Sequence, residues 1–336
     1  MGNPAIQAIL TIIIGVGGCI GYFYFSNQFL DKVVFPARGA HAARNITRAN
    51  MVRPWLFLFP ALAALGLYLA YPVVETLRLS LTERLPGNQS QFVGLANYQQ
   101  MFNEPKFWEA MRNNLAWLVI VPAFSTAFGL LAAQLSDRVR WGNIAKSLIF
   151  MPMAISFVGA AVIWKLVYDT RPAGQEQIGV LNALYVFFGG QEPVTWLTLI
   201  PWNSLLLMIV LIWIQTGFAM VILSAALRGI PEETVEAAIV DGANPFQVFF
   251  KIKVPQIMGT IVVVWTTITI VVLKVFDIVF AMTNGQWETQ VLANYMFDKL
   301  FRANDWGVGS AGAMIIMLLV SPILIWNVHN ARKEMK

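Results

Sequence analysis

The sequence predicts an all-α integral membrane protein of about seven transmembrane helices: one N-terminal helix, then a six-helix core that carries a charged cytoplasmic hairpin. Three observations lead there. Of the 336 residues, 57% are hydrophobic and only 12% charged, about half the charged share of an ordinary soluble domain. The apolar residues gather in long charge-free runs of spanning length. The basic residues gather in short segments between those runs, and one side of the alternation receives more of them than the other.

Residues 1–30 carry no charge, and the run AIQAILTIIIGVGGCIGYFYF is long enough to cross a bilayer. A signal peptide needs a basic start and a shorter apolar core, and neither is present. Val16-Gly17-Gly18-Cys19 resembles a lipoprotein cleavage site, but the apolar stretch continues past the cysteine. Cys19 is the single cysteine, so no internal disulfide can form. His41 and His329 lie near opposite ends and with Cys19 make no metal-ligand pattern. Residues 1–50 are thus read as an N-terminal helix plus a basic connector, and 51–336 as the core domain.

Within that core the second span is PWLFLFPALAALGLYLAYPVV, 54–74, and residues 75–111 are polar with Gly and Pro punctuation. The third span runs from Asn113 to Ser136. Asp137 to Lys146 is a short basic connector. The run 147–164 is the fourth span, near the lower length limit. Residues 165–192 read as a loop holding Asp169, Glu176 and Glu192. The segment PVTWLTLIPW, 193–202, has two tryptophans suited to the headgroup zone. The fifth span covers 203–227, a hairpin 228–255, and the sixth span 254–273, with the helix able to continue through Lys274 to Ala281. On that continued helix Lys274 and Asp277, three apart, would share a face and pair or snorkel at its outer end. A loop, 283–305, opens on the turn signal Thr283-Asn284-Gly285. The seventh span covers 308–329.

Counting Lys and Arg sets the orientation. The segments 31–53, 137–146, 228–255 and the C-terminal tail hold 14 of them, and the other side holds 9. The richer side is cytoplasmic by the positive-inside rule, which puts the N-terminus outside and the C-terminus and the hairpin inside.

The hairpin, RGIPEETVEAAIVDGANPFQVFFKIKVP, has the marks of two short helices and a tight turn. Pro231 with Glu232 and Glu233 suits a helix start, since proline tolerates the first turn and carboxylates face the positive dipole end. Gly242 stops that helix where a left-handed residue is needed. Asn244 and Pro245 restart a second one as cap and first helical residue.

These residues also resemble a family pattern. Glu236-Ala237-Ala238, Gly242 four positions on, then Ile252 and Pro255 resemble the "EAA" loop of bacterial ABC importer membrane subunits, with Val254 in place of a leucine. Phe92-Val93-Gly94-Leu95-Ala96-Asn97-Tyr98 with Met101-Phe102 is similar to the F-x-G-L-x-N-Y segment of sugar-type, MalF-like permeases. Asn113-Asn114-Leu115 resembles their N-T-L. Phe276-Asp277 with Thr283-Asn284-Gly285 resembles their F-D…L-T-x-G-G, although Gln286 replaces the second glycine. The resemblance covers roughly 54–330.

The resemblance implies half of a translocation pathway in a bacterial inner membrane. Its partners would be a second homologous permease as a heterodimer, two ATP-binding cassette subunits, an extracytoplasmic solute-binding protein and a sugar, an α-glucoside or oligosaccharide; no nucleic acid is expected. The chain has no phosphate-cradling G-x-x-x-x-G-K-[ST], so it is expected not to be an enzyme and to hold no cofactor, with ATP and Mg on the partner ATPase. Glu236 would pair with a basic side chain of that ATPase. Ala237 and Ala238 would allow close packing, and Phe249 and Phe250 would brace the second short helix against the bundle.

Matching outward from the motif places Gln215 and Phe218 of the fifth span where such a subunit meets sugar. A ring covers C–H bonds while an amide bonds hydroxyls. Trp213 and Thr216 lie nearby, and helix packing is the plain alternative for each. The sixth-span positions Ile268, Val271, Val272 and Val275 offer no amide, which leaves Thr266, Thr267 and Thr269 there.

Two other classes compete. A self-contained ion-coupled carrier would show paired ionisable residues at mid-span and an internal inverted repeat; the spans are almost free of charge. A membrane transferase would need clustered carboxylates or histidines with a nucleophile. Glu232, Glu233, Glu236 and Asp241 are clustered, but on a helix start with a glycine stop, which reads as capping and docking.

Overall fold

The computed structural model describes residues 4–38, 41–85 and 89–334. Among them five helices are long and apolar enough to cross a membrane, and two bent helix pairs bring the number to seven if each pair is one span. By contacts the chain divides into two compact units, Met1–Glu75 and Thr76–Lys336.

The first unit contains α1 (Pro4–Phe29), which runs into a π-turn at Leu30–Val34, and most of α2 (Ala42–Ser80), a single helix of 39 residues with a π-turn at Gly66–Ala70. Here the structure corrects the expected connector: residues 42–53 are helical. Arg44, Arg48 and Arg53 are good helix formers, and a charge-free run marks where a helix can lie in lipid, not where it begins. The Tyr22 hydroxyl donates to the Leu56 carbonyl at 2.8 Å, the Phe23 and Phe57 rings meet edge to face at 5.5 Å, and Arg53 pairs with Asp31 at 2.7 Å. The described apolar side chains of both helices are almost all exposed, as a lipid-facing surface requires.

The second unit opens with a short antiparallel pair, β1 (Thr82–Leu85) and β2 (Gln89–Phe92), in register Thr82 opposite Phe92. This strand pair lies within the polar segment 75–111, whose composition carries no strand signal. It is followed by α3 (Ala96–Asn103) and α4 (Pro105–Ser136). Gly94 turns the chain at φ +59°, and the buried Asn97 amide donates to the carbonyls of Ser80 at 2.9 Å and Thr82 at 3.0 Å. The F-x-G-L-x-N-Y segment is therefore a turn and a polar clamp at the entry to the core.

The expected fourth span is broken. α5 (Gly142–Phe150) ends in a 3-10 turn at Met151–Ala154, and α6 (Phe157–Val167) leaves at 106°. Pro152 sits in that turn, Ile155 is extended at φ −92°, ψ 138°, and Ser156 caps the new helix by accepting from the Gly159 N–H at 3.1 Å. The loop that follows contains α7 (Val180–Phe187). Asn182, fully buried, ties that loop together by donating to the Asp169 and Val194 carbonyls and accepting from the Val194 N–H.

The fifth span, α8 (Trp202–Arg228), lies within a residue of its expected bounds at both ends. Then come α9 (Glu232–Val240) and α10 (Pro245–Gln256), and α11 (Met258–Leu273), which departs from α10 at 71°. α11 stops at Leu273, and α12 (Asp277–Met282) is a separate helix, because Lys274 and Phe276 leave helical geometry. Lys274 and Asp277 consequently do not share a helix face, contrary to the sequence reading. α13 (Leu292–Phe297) and α14 (Trp306–Glu334) complete the chain, so 283–305 is partly helical as well.

Two apolar cores hold this unit together. The larger one joins α4, α6, α8, α11 and α12 through Trp117, Tyr168, Leu207, Met220, Ile268 and Ile278. The smaller one joins α3, α4, α13 and α14 through Met101, Phe107, Leu292, Tyr295 and Val308. Its rim is polar: Glu104 accepts from the Tyr295 hydroxyl at 2.8 Å and from Lys299 at 2.6 Å.

Candidate functional site: the hairpin and the helix that leads into it

The hairpin has the build its sequence foretold. α9 begins right after Pro231 with Glu232 and Glu233 in its first turn. It ends at Gly242, whose φ is +84°, with the Ala243 N–H bonded to the Ala238 carbonyl and the Gly242 N–H to the Ile239 carbonyl, both at 3.0 Å. That pair of bonds is a Schellman stop. Asn244 and Gln247 then form a reciprocal capping box, each side chain bonded to the other's backbone N–H at 2.9 Å, with Pro245 at the first helical position.

The motif residues divide into supporting and presenting positions. Ala238 is buried where α9 meets α10, Ile252 is half-buried, and Val248 and Phe249 are buried beneath the hairpin. Glu236, Ala237, Gly242 and Pro255 are exposed. Phe249 is 8% exposed and braces α10 as expected, whereas Phe250 is 58% exposed and does not. The two rings, both within the π-turn at Val248–Lys253, meet edge to face at 4.9 Å, so Phe250 packs on Phe249 from the exposed side. Around Glu236 the hairpin exposes Ile239, Val240 and Phe246, with Val240 86% exposed. This is an apolar patch edged by Glu232, Glu233, Glu236 and Asp241.

The residues proposed for a solute path are not gathered in one place. Trp213 and Thr216 line a cleft of about 800 Å³ between α4, α5, α6 and α8, together with Phe124, Phe128 and Trp164. Trp213 meets the Trp164 ring at 5.8 Å, and the Thr216 hydroxyl is engaged by the Ile212 carbonyl at 2.7 Å. At 100° per residue, Gln215 and Phe218 fall on nearly the opposite side of α8. Gln215 is 7% exposed and its amide has no hydrogen-bond partner among the described residues. Thr267 lies exposed on α11 with its hydroxyl on the Val263 carbonyl, and Thr266 and Thr269 likewise bond back to their own helix.

Sequence reasoning missed a polar cluster where the end of α4, the body of α5 and the end of α8 meet. There Asp137 takes hydrogen bonds from Lys146, Ser224 and Arg228. Burial pushes the Asp137 carboxyl up, but hydrogen bonds from Arg228 and Lys146 and their charges outweigh it and hold the group below its ordinary 3.8. The four residues come from three segments, so no local spacing announces them.

A bundle of apolar spans, two of them bent, that holds out a capped, acidic-edged hairpin fits a membrane transport subunit. The chain belongs to the family of binding-protein-dependent transport system inner membrane components, whose model matches residues 125–335. It is a membrane-spanning permease subunit of an ABC importer. It is 64% identical over 333 residues to the alpha-glucoside transport system permease protein AglF of Rhizobium meliloti, covering 98% of each chain. It is 48% identical over 281 residues to the osmoprotective compounds uptake permease protein GgtC of Synechocystis, covering 84% of this chain and 99% of that one. Its fold matches a chain of the bacterial alginate ABC transporter solved in complex with an alginate pentasaccharide-bound periplasmic protein. The TM-score is 0.72, with 21% identity over 88% of this chain and 99% of that chain.

Proposed function

We propose that this permease forms half of a sugar pathway, with an α-glucoside or related oligosaccharide as solute, and that the hairpin at 228–255 docks on a cytoplasmic ATP-binding subunit. The single observation that carries the docking role is the exposed acidic edge of a hairpin whose own fold is complete. Glu236 has no partner within the chain's described residues, and the apolar side chains beside it have no internal reason to be in water. The identity to an alpha-glucoside permease supports the solute class.

In this reading a second, homologous permease completes the pathway, two ATPase subunits with ATP and Mg drive it, and an extracytoplasmic binding protein delivers the solute. The N-terminus lies outside and the C-terminus inside. ATP-driven closure of the motor pair displaces the hairpins, and the spans rock as rigid bodies between two access states. Residues 51–336 make the permease body, and 1–50 add a helix and connector to it.

The solute is met on the Gln215 and Phe218 face of α8. The Gln215 amide has no hydrogen-bond partner among the described residues, which leaves its donor and acceptor available to a sugar hydroxyl. The cleft beside Trp213 and Thr216 is the poorer candidate, because apart from that one threonine its lining is aliphatic and aromatic. Thr267 contributes from α11.

The test is Glu236→Arg in the assembled transporter reconstituted with its motor and loaded binding protein. Solute accumulation is expected to collapse while the chain still inserts and ATP is still hydrolysed. Normal transport by that variant would refute the coupling role.

A further inference from the structure

The Asp137 cluster lies where α8 hands over to the hairpin. Arg228 is the last residue of α8, and Pro231 opens the hairpin after only Gly229 and Ile230. Arg228 reaches Asp137 Oδ1 through Nε at 3.2 Å and Nη2 at 2.7 Å. Lys146 of α5 bonds the same oxygen and also the Ser224 hydroxyl at 2.6 Å, while Ser224 donates to Asp137 Oδ2 at 3.3 Å. One carboxylate thus gathers the end of α4, the body of α5 and the end of α8. The turn that carries it is fixed tightly: a Cβ on Gly142 would meet the Ser136 carbonyl oxygen.

The joint beyond Arg228 is weak by comparison. Gly229 still bonds back to the Ala225 and Ala226 carbonyls, but Ile230 reaches the Leu227 carbonyl only at 3.5 Å. A push on the hairpin reaches the bundle through this joint, so what the foot of α8 is tied to decides which helices move with it. The Lys146 and Asp137 side chains are 15% and 25% exposed, so their pairing is shielded more than an open surface pair. Its hydrogen bonds are charge-assisted and share one acceptor.

We infer that Asp137 is a positioning residue that clamps the foot of α8 to α4 and α5, so that hairpin displacement moves the three helices as one body. The inference rests on the coupling role proposed above and names the part that carries it onward. A purely structural cluster would affect how much transporter assembles. A clamp affects how much solute moves for each ATP spent.

The experiment compares wild type, D137N, D137E, R228Q and E236R in the complete transporter in vesicles, scoring solute delivered per ATP hydrolysed. D137N is expected to lower that ratio about tenfold, the scale of losing a hydrogen bond to a charged group. D137E should recover most of it, and D137N combined with R228Q should be no worse than D137N alone, since both break one network. If D137N fails to assemble, R228Q keeps the Lys146 pair and reports on the same clamp. A wild-type ratio in R228Q and D137N, with E236R uncoupled, overturns the clamp alone. A wild-type ratio in E236R overturns the coupling reading and the clamp with it.

Discussion

Gly129 of α4 lies so close to Ala219 of α8 that a Cβ on the glycine would stand 2.4 Å from the Ala219 Cβ and 2.8 Å from the Met220 backbone nitrogen. Small residues at a helix crossing let two backbones approach, the usual way spans associate without water to drive them together. This contact packs α4 closely against α8, the helix that leads into the hairpin.

Gly129→Ala should therefore force the two helices apart. Overpacking a tight site costs about 1–3 kcal/mol, and the loss should appear as a lower unfolding midpoint of the purified protein. Gly17→Ala is the control: that glycine has no atom within 4 Å of a built Cβ, so its midpoint should not fall. Equal midpoints for wild type and Gly129→Ala would contradict the packing.

Gly242 makes a different demand. Its φ is +84° and the space around it is open, so only backbone strain opposes a side chain. Left-handed geometry costs an ordinary residue about 1–2 kcal/mol, and asparagine less. Exchange protection of the Ala243 N–H, which closes the hairpin turn on the Ala238 carbonyl, should fall in the order Gly, Asn, Ala, Val at position 242. A valine variant protected like wild type would remove the turn from the account.

Much of the hairpin was legible because its signals are local. Pro231, Gly242 and the Asn244-Pro245 pair each fix the backbone at their own position, and the structure places a start, a stop and a restart there. The long spans were legible from composition, as the near agreement at 203–227 shows. Direction was not. The run 147–164 is apolar throughout, and nothing in its hydropathy tells that the chain turns by 106° between α5 and α6. The same holds at Lys274, where a three-residue spacing suggested a shared face that the end of α11 removes. Asp137 could not be read at all, since its partners stand 9, 87 and 91 positions away.

Asp137 also gives a pH dependence with a definite sign. Its folded pKa lies below the ordinary 3.8, so the network's contribution is complete above that value and is lost as pH falls through the folded pKa. The difference in unfolding midpoint between wild type and D137N should be constant across neutral and mildly acidic pH. It should shrink only below about pH 4, where carboxylates protonate. A difference that already shrinks between neutral and mildly acidic pH would contradict a depressed pKa.

The most direct test of the central claim is a photo-crosslink from position 240, the most exposed apolar side chain of the hairpin. With a benzophenone amino acid in place of Val240 in the assembled transporter, the account predicts an adduct with the ATP-binding subunit, formed from the cytoplasmic side. An adduct with the extracytoplasmic binding protein, or with lipid alone, would contradict it.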